Sequence, residues 1–317
     1  MVPNFCNMEK GLSKIITRLS YNRWNIGIIE KDLMNILFDK TEDYTVNWVK
    51  HNYTDRFFAD PFIYSVDKDT IKILVEELLY KDKKGRITLL TVDRKSYVLL
   101  KRDVLLEQPY HLSYPFISTD NDGNISVMPE ASMSGEFSRY SFDGSKLSLV
   151  NQNVVITEPL CDATIVYYQN QYYLFGTKRS NEPNCKLYIY YSDNIEGPYV
   201  AHKANPVLVD SSIARPAGAM FVDEKGQLYR VSQKNDNFYG ETVNLTRIDV
   251  LDHDNFSETL IKRLPKHLGR YKHGFHTINS KDGLCVVDGY CKEFAPLKKL
   301  FFEIRSRVNR NNGTHDE

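Results

Sequence analysis

Residues 162–177 read DATIVYYQNQYYLFGT and show the pattern that recurs through most of the chain. Two runs rich in Val, Ile, Tyr and Phe flank the polar pair Gln169-Asn170, which is typical of two strands joined by a tight turn. From about residue 55 onward, similar runs alternate with turns such as Asp122-Gly123 and Asp143-Gly144. Aromatic residues make up 12% of the chain and favour strands over helices. The sequence therefore predicts an all-β fold.

A longer repeat groups these strands in fours. The strands that open successive groups begin at Asp60, Ser113, Asp162, Arg215 and His276, with steps of 53, 49, 53 and 61 residues between them. A unit of about fifty residues with four strands has the size of one blade of a β-propeller. Five such units predict a five-bladed β-propeller.

The fifth unit needs a strand from the start of the chain. Only three strand-length runs follow His276, namely FHTINS, LCVVDGY and KLFFEIRS, so we expect the segment Trp24–Asp32 to complete the last blade and close the ring. The predicted division is an N-terminal segment at 1–22, a propeller domain at 23–305 and a polar, disordered tail at 306–317. A short amphipathic helix is expected within the first twenty or so residues.

Composition excludes several classes of protein. The 41 Lys and Arg residues balance 41 Asp and Glu residues, so we expect no nucleic acid or anionic membrane bound through bulk charge. No apolar run reaches the roughly 18 residues of a membrane-spanning helix, and the first residues lack the apolar core of a signal peptide. Five cysteines without CxxC spacing indicate neither a zinc site nor a disulfide framework. We therefore expect a cytoplasmic protein.

Polar residues at matching places in the blades predict one shared site. The first strand of each blade lines the central channel of a propeller, so the residues that open these strands should meet at one mouth. Further polar groups follow 16 to 18 residues later, in the next strand of three blades: Glu76 and Glu77, Glu130, and Gln233. A carboxylate inside an apolar strand is costly to bury without a partner, which favours a functional site.

The expected site suits glycoside chemistry. Asp60, Glu130 and Asp162 are the candidate catalytic residues, because such chemistry uses one protonated acid at the leaving oxygen and one ionised base or nucleophile. Mutual repulsion and burial would separate their pKa values and so fix their roles. The candidate substrate-binding residues are Glu76, His111, Ser113, Arg215, Gln233, His273 and His276.

Simpler interpretations account for single residues of this set. Asp60 suits a turn in which its side chain binds nearby backbone N–H groups. Arg215 suits a channel plug paired with Asp60 or Asp162, and His276 suits a buried structural histidine. These interpretations leave unexplained why five units place polar groups at the same point.

Several motifs in a fixed order resemble a known family. They are ADPF at 59–62, HLSYPFI at 111–117, MPE at 128–130, DATIVYYQNQYYLFGT at 162–177, ARPAGAMF at 214–221 and GQLYRVSQ at 226–233. From about Phe58 to about Leu251, the chain resembles the N-terminal five-bladed propeller domain of plant glucosamine inositolphosphorylceramide transferases and its bacterial relatives. That group is similar in fold to the arabinanase, levansucrase and invertase superfamily, which includes glycoside hydrolase families 43, 32, 62 and 68.

The resemblance implies roles for individual residues. Asp60, before a proline, matches the base or nucleophile of the hydrolases, and Asp162 resembles the aspartate that orients the acid and tunes its pKa. Glu130 is then the candidate acid, although it precedes Asp162 whereas the hydrolases place the acid after it. This departure argues against the hydrolase mechanism. His276 matches a histidine that helps to hold a central calcium ion in some hydrolases; no other cofactor is expected.

Two functions of different classes follow from the resemblance. The first is a carbohydrate-active enzyme of hydrolase or transferase type that acts on a glycan or glycoconjugate in bacterial surface-glycan metabolism. The second is a non-catalytic glycan-binding propeller that partners a glycosyltransferase, because the plant relatives carry such a domain. Binding alone needs aromatic platforms, for which Tyr114, Phe116, Tyr239 and His273 are candidates. A protein-interaction propeller, a third possibility, would show large exposed apolar rims.

Overall fold

The computed structural model describes residues 19–38, 44–119, 123–180, 182–266, 269–301 and 304. Its strands form five sheets, which are the five blades of a β-propeller, so the predicted fold is confirmed. A short helix spans Leu33–Phe38. Within the described parts of the chain, no helix is both long enough and apolar enough to span a membrane.

Each blade is an antiparallel sheet of four main strands. The strands in chain order are β1 (Ser20–Ile29) and β2 (Asn47–Trp48) in blade 5; β3 (Arg56–Val66), β4 (Thr70–Leu79), β5 (Lys84–Asp93) and β6 (Leu99–Leu106) in blade 1; β7 (Ser113–Thr119), β8 (Ile125–Glu130), β9 (Phe137–Asp143) and β10 (Ser148–Ile156) in blade 2; β11 (Leu160–Tyr168), β12 (Gln171–Lys178), β13 (Lys186–Ser192), β14 (Val200–Ala201) and β15 (Leu208–Val209) in blade 3; β16 (Phe221–Val222), β17 (Leu228–Lys234), β18 (Thr242–Leu251) and β19 (Phe256–Arg263) in blade 4; and β20 (Ile278–Lys281) and β21 (Leu284–Phe294), again in blade 5.

The start of the chain closes the ring, as predicted. β1 pairs along its whole length with β21, from Ser20 opposite Phe294 to Ile29 opposite Cys285. A second strand follows outside the predicted segment Trp24–Asp32, because β2 pairs in turn with β1. The prediction that KLFFEIRS forms a strand is wrong, since residues 296–301 are helical. Pro296 suits the first turn of a helix, and the residues after it lack strand alternation.

Two parts of the predicted division lie outside the described residues. These are the helix expected before residue 19 and the tail at 306–317. The strand that begins blade 5 starts at Ser20, three residues before the predicted domain boundary.

Apolar side chains fill the spaces between neighbouring blades. In the largest cluster, the ring of Phe62 from blade 1 packs edge-on against Tyr114 of blade 2, with 5.0 Å between centroids. Tyr114 and Phe116 are both buried in this cluster. The prediction that these two rings form a sugar platform is therefore wrong, because both are buried by packing between blades.

The inner strands of the first three blades are interrupted at the same place. Asp60, Tyr114 and Asp162 have φ angles of 51°, 41° and 48°, and the strand register shifts at each of them. A left-handed backbone is uncommon for residues other than glycine, and such bulges often re-aim a side chain at a functional site. Tyr114, rather than Ser113, is thus the blade 2 counterpart of the two aspartates.

Candidate functional site

A cavity of about 220 Å³ opens where the polar residues of the inner strands meet. It is lined by Trp24, Phe57, Ala59, Asp60, Glu76, His111, Ser113, Glu130, Arg215, Tyr239 and His276. Seven of the predicted site residues are among them. We refer to this space as the central cavity.

Three predicted site residues do not line the central cavity. Asp162 and Gln233 lie behind its wall, where they bind each other and Arg215. His273 lies in a neighbouring groove instead. The strand register places Glu76, Glu130 and Gln233 at equivalent positions, and yet of these three the two glutamates line the cavity and Gln233 does not.

Asp60 is buried and holds its carboxylate between two blades. Its Oδ2 accepts a hydrogen bond of 3.2 Å from the backbone N–H of Tyr114, and its Oδ1 accepts one of 2.9 Å from the Thr277 hydroxyl. His276 Nε2 lies 3.5 Å from the same Oδ1. Burial raises the pKa of Asp60 to about 6, while the nearby His276 opposes that rise. The group therefore changes charge within the range where enzymes use carboxylates as bases.

His276 lies between two carboxylates, Asp60 and Asp288. Its Nδ1 lies 2.7 Å from Asp288 Oδ2, and the backbone N–H groups of His276, Thr277 and Asp60 also donate to Asp288. Burial alone would lower the pKa of His276, but the charges of Asp288 and Asp60 raise it to about 9. The imidazole is thus held as a cation. Asp288, in the apolar run VVDGY, was missed from the sequence, although a lone acid in an apolar strand is the signal that singled out Glu76.

Among the carboxyl groups that line the central cavity, Glu76 has the fewest hydrogen-bond donors around it in the described part of the chain. His111 Nε2 lies 3.4 Å from Glu76 Oε1. His111 Nδ1 accepts a hydrogen bond of 3.0 Å from the Gly85 N–H, which assigns the ring proton to Nε2. Burial, followed by the charges of Asp60 and other carboxylates, raises the pKa of Glu76 well above its usual range. Glu76 is therefore a carboxyl group that favours its protonated form.

Gly85 keeps the backbone of β5 close to this pair. A Cβ at this position would lie 2.4 Å from the Leu112 carbonyl oxygen and 2.8 Å from Glu76 Oε1. No side chain larger than hydrogen fits without a shift of the backbone. Gly85 thus leaves room for both Glu76 and His111.

Glu130, Asp162 and Arg215 form a buried charged network. Arg215 Nε donates to Asp162 Oδ2 over 2.6 Å, and its terminal nitrogen NH2 lies 3.5 Å from Glu130 Oε2. Glu130 also accepts from the Asp162 backbone N–H and from the Ser132 hydroxyl. Gln233 donates to Asp162 over 2.5 Å. Burial raises the pKa of Asp162 to about 6; the charge of Arg215 lowers this pKa, and the charge of Glu130 raises it.

Glu77 belongs to a separate, structural network. Its carboxylate accepts from Arg56, Arg86, Arg102 and the Thr88 hydroxyl, and its side chain is fully buried. Successive strand residues point to opposite faces, so Glu77 points away from the side on which Glu76 reaches the central cavity. The two adjacent glutamates therefore have different surroundings and different roles.

The residues at the channel centre fit an imidazolium better than a calcium ion. Ligand atoms of Asp60, His276 and Asp288 all lie within 4.8 Å of one another. Both oxygens of Asp288, however, already accept N–H groups, and His276 contacts both carboxylates. Calcium prefers six to eight oxygen ligands. The calcium site stays a prediction that these contacts do not support.

Aromatic rings form one wall of the central cavity. The Trp24 ring lies 4.4 Å from His276 and 4.7 Å from Tyr290, between centroids. The Tyr239 ring meets His276 edge-on at 5.2 Å, and the Arg215 guanidinium lies 5.4 Å from the Tyr239 ring centre. Such rings are surfaces on which a sugar can stack. Tyr239 was expected as a platform, whereas Trp24 was noted only as part of the closing strand.

Comparison with known proteins identifies relatives of the chain. The family model described as "Glucosamine inositolphosphorylceramide transferase 1, N-terminal" matches residues 45–280. The protein named "Glucosamine inositolphosphorylceramide transferase 1" of Oryza sativa subsp. japonica is 32% identical over 222 residues, which cover 68% of this chain and 29% of the rice protein. Its namesake in Arabidopsis thaliana is 32% identical over 207 residues, covering 64% and 27%. The chain thus matches less than a third of the length of these relatives.

Solved structures share the fold at low identity. A thermostable family-43 glycoside hydrolase superposes with a TM-score of 0.52 and 14% identity, covering 72% of this chain and 84% of that one. The family-43 beta 1,3 galactosidase BT0265 superposes with a TM-score of 0.52 and 13% identity, covering 65% and 48%. These likenesses establish a shared five-bladed fold and no more. With the family match over residues 45–280, the chain belongs to the family of the N-terminal domain of glucosamine inositolphosphorylceramide transferase 1.

Proposed function

We propose that this protein binds a sugar residue in the central cavity and hydrolyses or transfers a glycosyl unit there. One observation carries the proposal: a carboxyl group that favours its protonated form, Glu76, and a carboxylate beside a cation, Asp60, line the same cavity. Glycosyl chemistry uses a proton donor and a base or nucleophile on either side of the bond that breaks.

Asp60 is the proposed base or nucleophile. Its ionised form is stabilised by the Tyr114 N–H, the Thr277 hydroxyl and the His276 cation. Asp288 acts through His276, because it holds that ring in place and in its charged form. We assign Asp288 as a positioning residue.

Glu76 is a better proposed acid than Glu130, the acid inferred from the sequence. Glu130 accepts hydrogen bonds from a backbone N–H and a hydroxyl and lies beside Arg215, and these donors all stabilise an ionised carboxylate. Glu76 has no such set of donors among the described residues, and after burial the charges of four other carboxylates raise its pKa: Asp60, Glu130, Asp162 and Asp288. Glu130 and Asp162 are then the groups that orient Arg215, whose fork suits sugar hydroxyls or a carboxylate.

The wider setting is part of the same proposal. We place the activity in the metabolism of bacterial surface glycans, in the cytoplasm, with a glycosyltransferase as partner. The names of the plant relatives, which are transferases, support the last point. The four described cysteines, Cys161, Cys185, Cys285 and Cys291, are free thiols, which is usual in a reducing compartment.

A binding module is the second candidate, and one observation favours it. Both oxygens of Asp60 and of Glu130 already have donors within the protein, so neither carboxylate is free of structural contacts. In this alternative the aromatic wall and Arg215 hold a glycan that a partner enzyme modifies.

Carboxyl-to-amide variants test the proposal. Asp60→Asn, Glu76→Gln and Glu130→Gln are compared with the wild type on furanoside and pyranoside oligosaccharides and on nucleotide-sugar acceptors, with turnover and binding measured together. The matched control is Glu224→Gln, an exposed glutamate in the turn between β16 and β17. We expect Asp60→Asn and Glu76→Gln to lose at least about a hundredfold in turnover and to keep binding, since acid–base groups contribute roughly 10²–10⁴.

The outcomes decide which residue is the acid, whether the protein is an enzyme or a binding module, and whether the central cavity binds sugar. If Glu130→Gln loses turnover while Glu76→Gln keeps it, the acid is Glu130 and our assignment is wrong. Binding by the wild type without turnover on any member of the panel favours the binding module. If no member of the panel binds, the central cavity is not a sugar site.

A further inference from the structure

A second groove adjoins the central cavity and shares two of its aromatic rings. The groove has a volume of about 650 Å³, and Trp24 and Tyr239 line both spaces. We call it the lysine groove, because Lys266, Lys272 and Lys292 line it together with His273. A ligand that stacks on Trp24 or Tyr239 in the cavity can extend directly into this groove.

The lysine groove carries an excess of positive charge. None of its described lining residues is acidic. Lys272 and Lys292 are exposed and form no ion pair with any residue that the structure describes. Lys266 lies 3.7 Å from Glu241, but the carboxylate of Glu241 also pairs with Lys234 at 2.5 Å. Lys234 also pairs with Asp236, so Glu241 can balance Lys266, and the excess charge of the groove rests on Lys272 and Lys292.

The lysines of the groove line it together with His273. Burial and then the positive charges of Lys292, Lys272 and Lys266 lower the pKa of His273, so all three lysines act on the same ring. The ring of His273 lies 5.9 Å from that of Tyr290, which packs in turn against Trp24. Lys266 also lies 4.8 Å from the centre of the Phe238 ring. Cations and aromatic rings thus line the groove together.

We propose that the lysine groove binds an anionic substituent of the glycan whose sugar occupies the central cavity. The proposal rests on the proposed function and adds the substrate class: a glycan or glycoconjugate that carries a carboxylate, sulfate or phosphate next to the bound sugar. Exposed lysines suit such a group, because a flexible ammonium forms a point contact with any of these anions. His273, which the sequence assigned to substrate binding, then binds outside the sugar pocket itself.

A glycan array with matched pairs tests this inference. Each pair consists of a neutral glycan and the same glycan with a uronate carboxylate, a sulfate or a phosphate, so the three arms identify the anion. The protein is measured as the wild type, as the double variant Lys272→Ala/Lys292→Ala and as the control Lys225→Ala. Lys225 is an exposed lysine in the turn between β16 and β17, outside both cavities.

We expect the anionic member of at least one arm to bind about fivefold to tenfold more tightly than its neutral partner, as for one or two exposed charge pairs. The double variant should lose this preference and keep its affinity for the neutral glycan, and added salt should weaken only the anionic member. Equal binding of both members, or a preference that survives in the double variant, overturns the inference alone. Absence of binding to every glycan overturns the inference and the proposed function together.

Discussion

Replacement of Asp288 by Asn tests the buried ion pair on which the site is built. The wild-type carboxylate accepts three backbone N–H groups and lies 2.7 Å from His276 Nδ1. An asparagine of the same shape loses the charge and turns an N–H₂ group toward donors. His276 would then be a buried cation in contact with the Asp60 carboxylate and without that of Asp288.

The expected loss of stability follows from the burial of the pair. Removal of one partner from a buried ion pair typically costs about 3–5 kcal/mol, because the other charge stays unpaired. The pKa of His276 is raised to about 9 in the folded protein from 6.5 in the unfolded chain, and this difference gives a second value for the stabilisation. A difference of that size corresponds to about 3 kcal/mol of stabilisation. Because folding raises this pKa, the stabilisation is complete below pH 6.5 and disappears as the pH rises through 9.

Urea denaturation at pH 6 and at pH 9 measures both the stability lost in the variant and the dependence of stability on pH. At pH 6 we expect Asp288→Asn to lower the free energy of unfolding by about 3–5 kcal/mol. The loss of stability of the wild type between pH 6 and pH 9 should be much smaller in the variant. The pKa of Glu76 is also raised by folding, so Glu76 too makes the protein less stable as the pH rises. The variant Glu76→Gln is therefore measured in the same way, and its pH dependence shows how much of the loss is due to Glu76. A variant within about 1 kcal/mol of the wild type at pH 6, or with the same pH dependence, would refute the imidazolium assignment.

Three further predictions concern the neighbouring groups. Gly85→Ala should displace Glu76 and reduce turnover at least about tenfold, whereas Gly144→Ala, whose Cβ would meet its nearest neighbour at 3.6 Å, should leave turnover unchanged. Glu77→Gln removes the buried charge shared by three arginines, of which Arg56 keeps Asp55 and Arg86 keeps Glu107. It should lower the free energy of unfolding by about 3–5 kcal/mol in urea while glycan binding by the folded protein is retained. Because the pKa of Asp60 is about 6, kcat/KM should fall as the pH falls below about 6, and a profile that stays flat there would exclude Asp60 as the base.

The repeat was predictable from the sequence because it depends on local patterns. Alternating apolar runs and turn residues are fixed within each unit, and the steps between Asp60, Ser113, Asp162, Arg215 and His276 indicated five blades. The closing strand was also predictable, since an incomplete last blade needs a partner. The run KLFFEIRS was misassigned because its apolar content fits a strand as well as a helix, and only Pro296 argued for a helix.

The sequence indicated which residues come together at the site, but it did not indicate which of them line the cavity or what each one binds. Matching positions brought Asp60, Glu76 and Glu130 to one cavity. The side of the wall on which a residue lies was not predictable, because Asp60 and Asp162 share the same bulge, yet Asp60 lines the cavity while Asp162 binds Arg215 and Gln233 behind it. Burial of Tyr114 between blades follows from the same bulge, which no pattern of residue types indicates.

The most direct test of the account is a crystal structure of the inactive Asp60→Asn variant with the glycan that binds best in the array. The account predicts electron density for one sugar ring in the central cavity, in contact with Glu76 and Arg215 and packed on Trp24 or Tyr239. Density for the glycan at another face of the propeller, with the central cavity free of sugar, would contradict it.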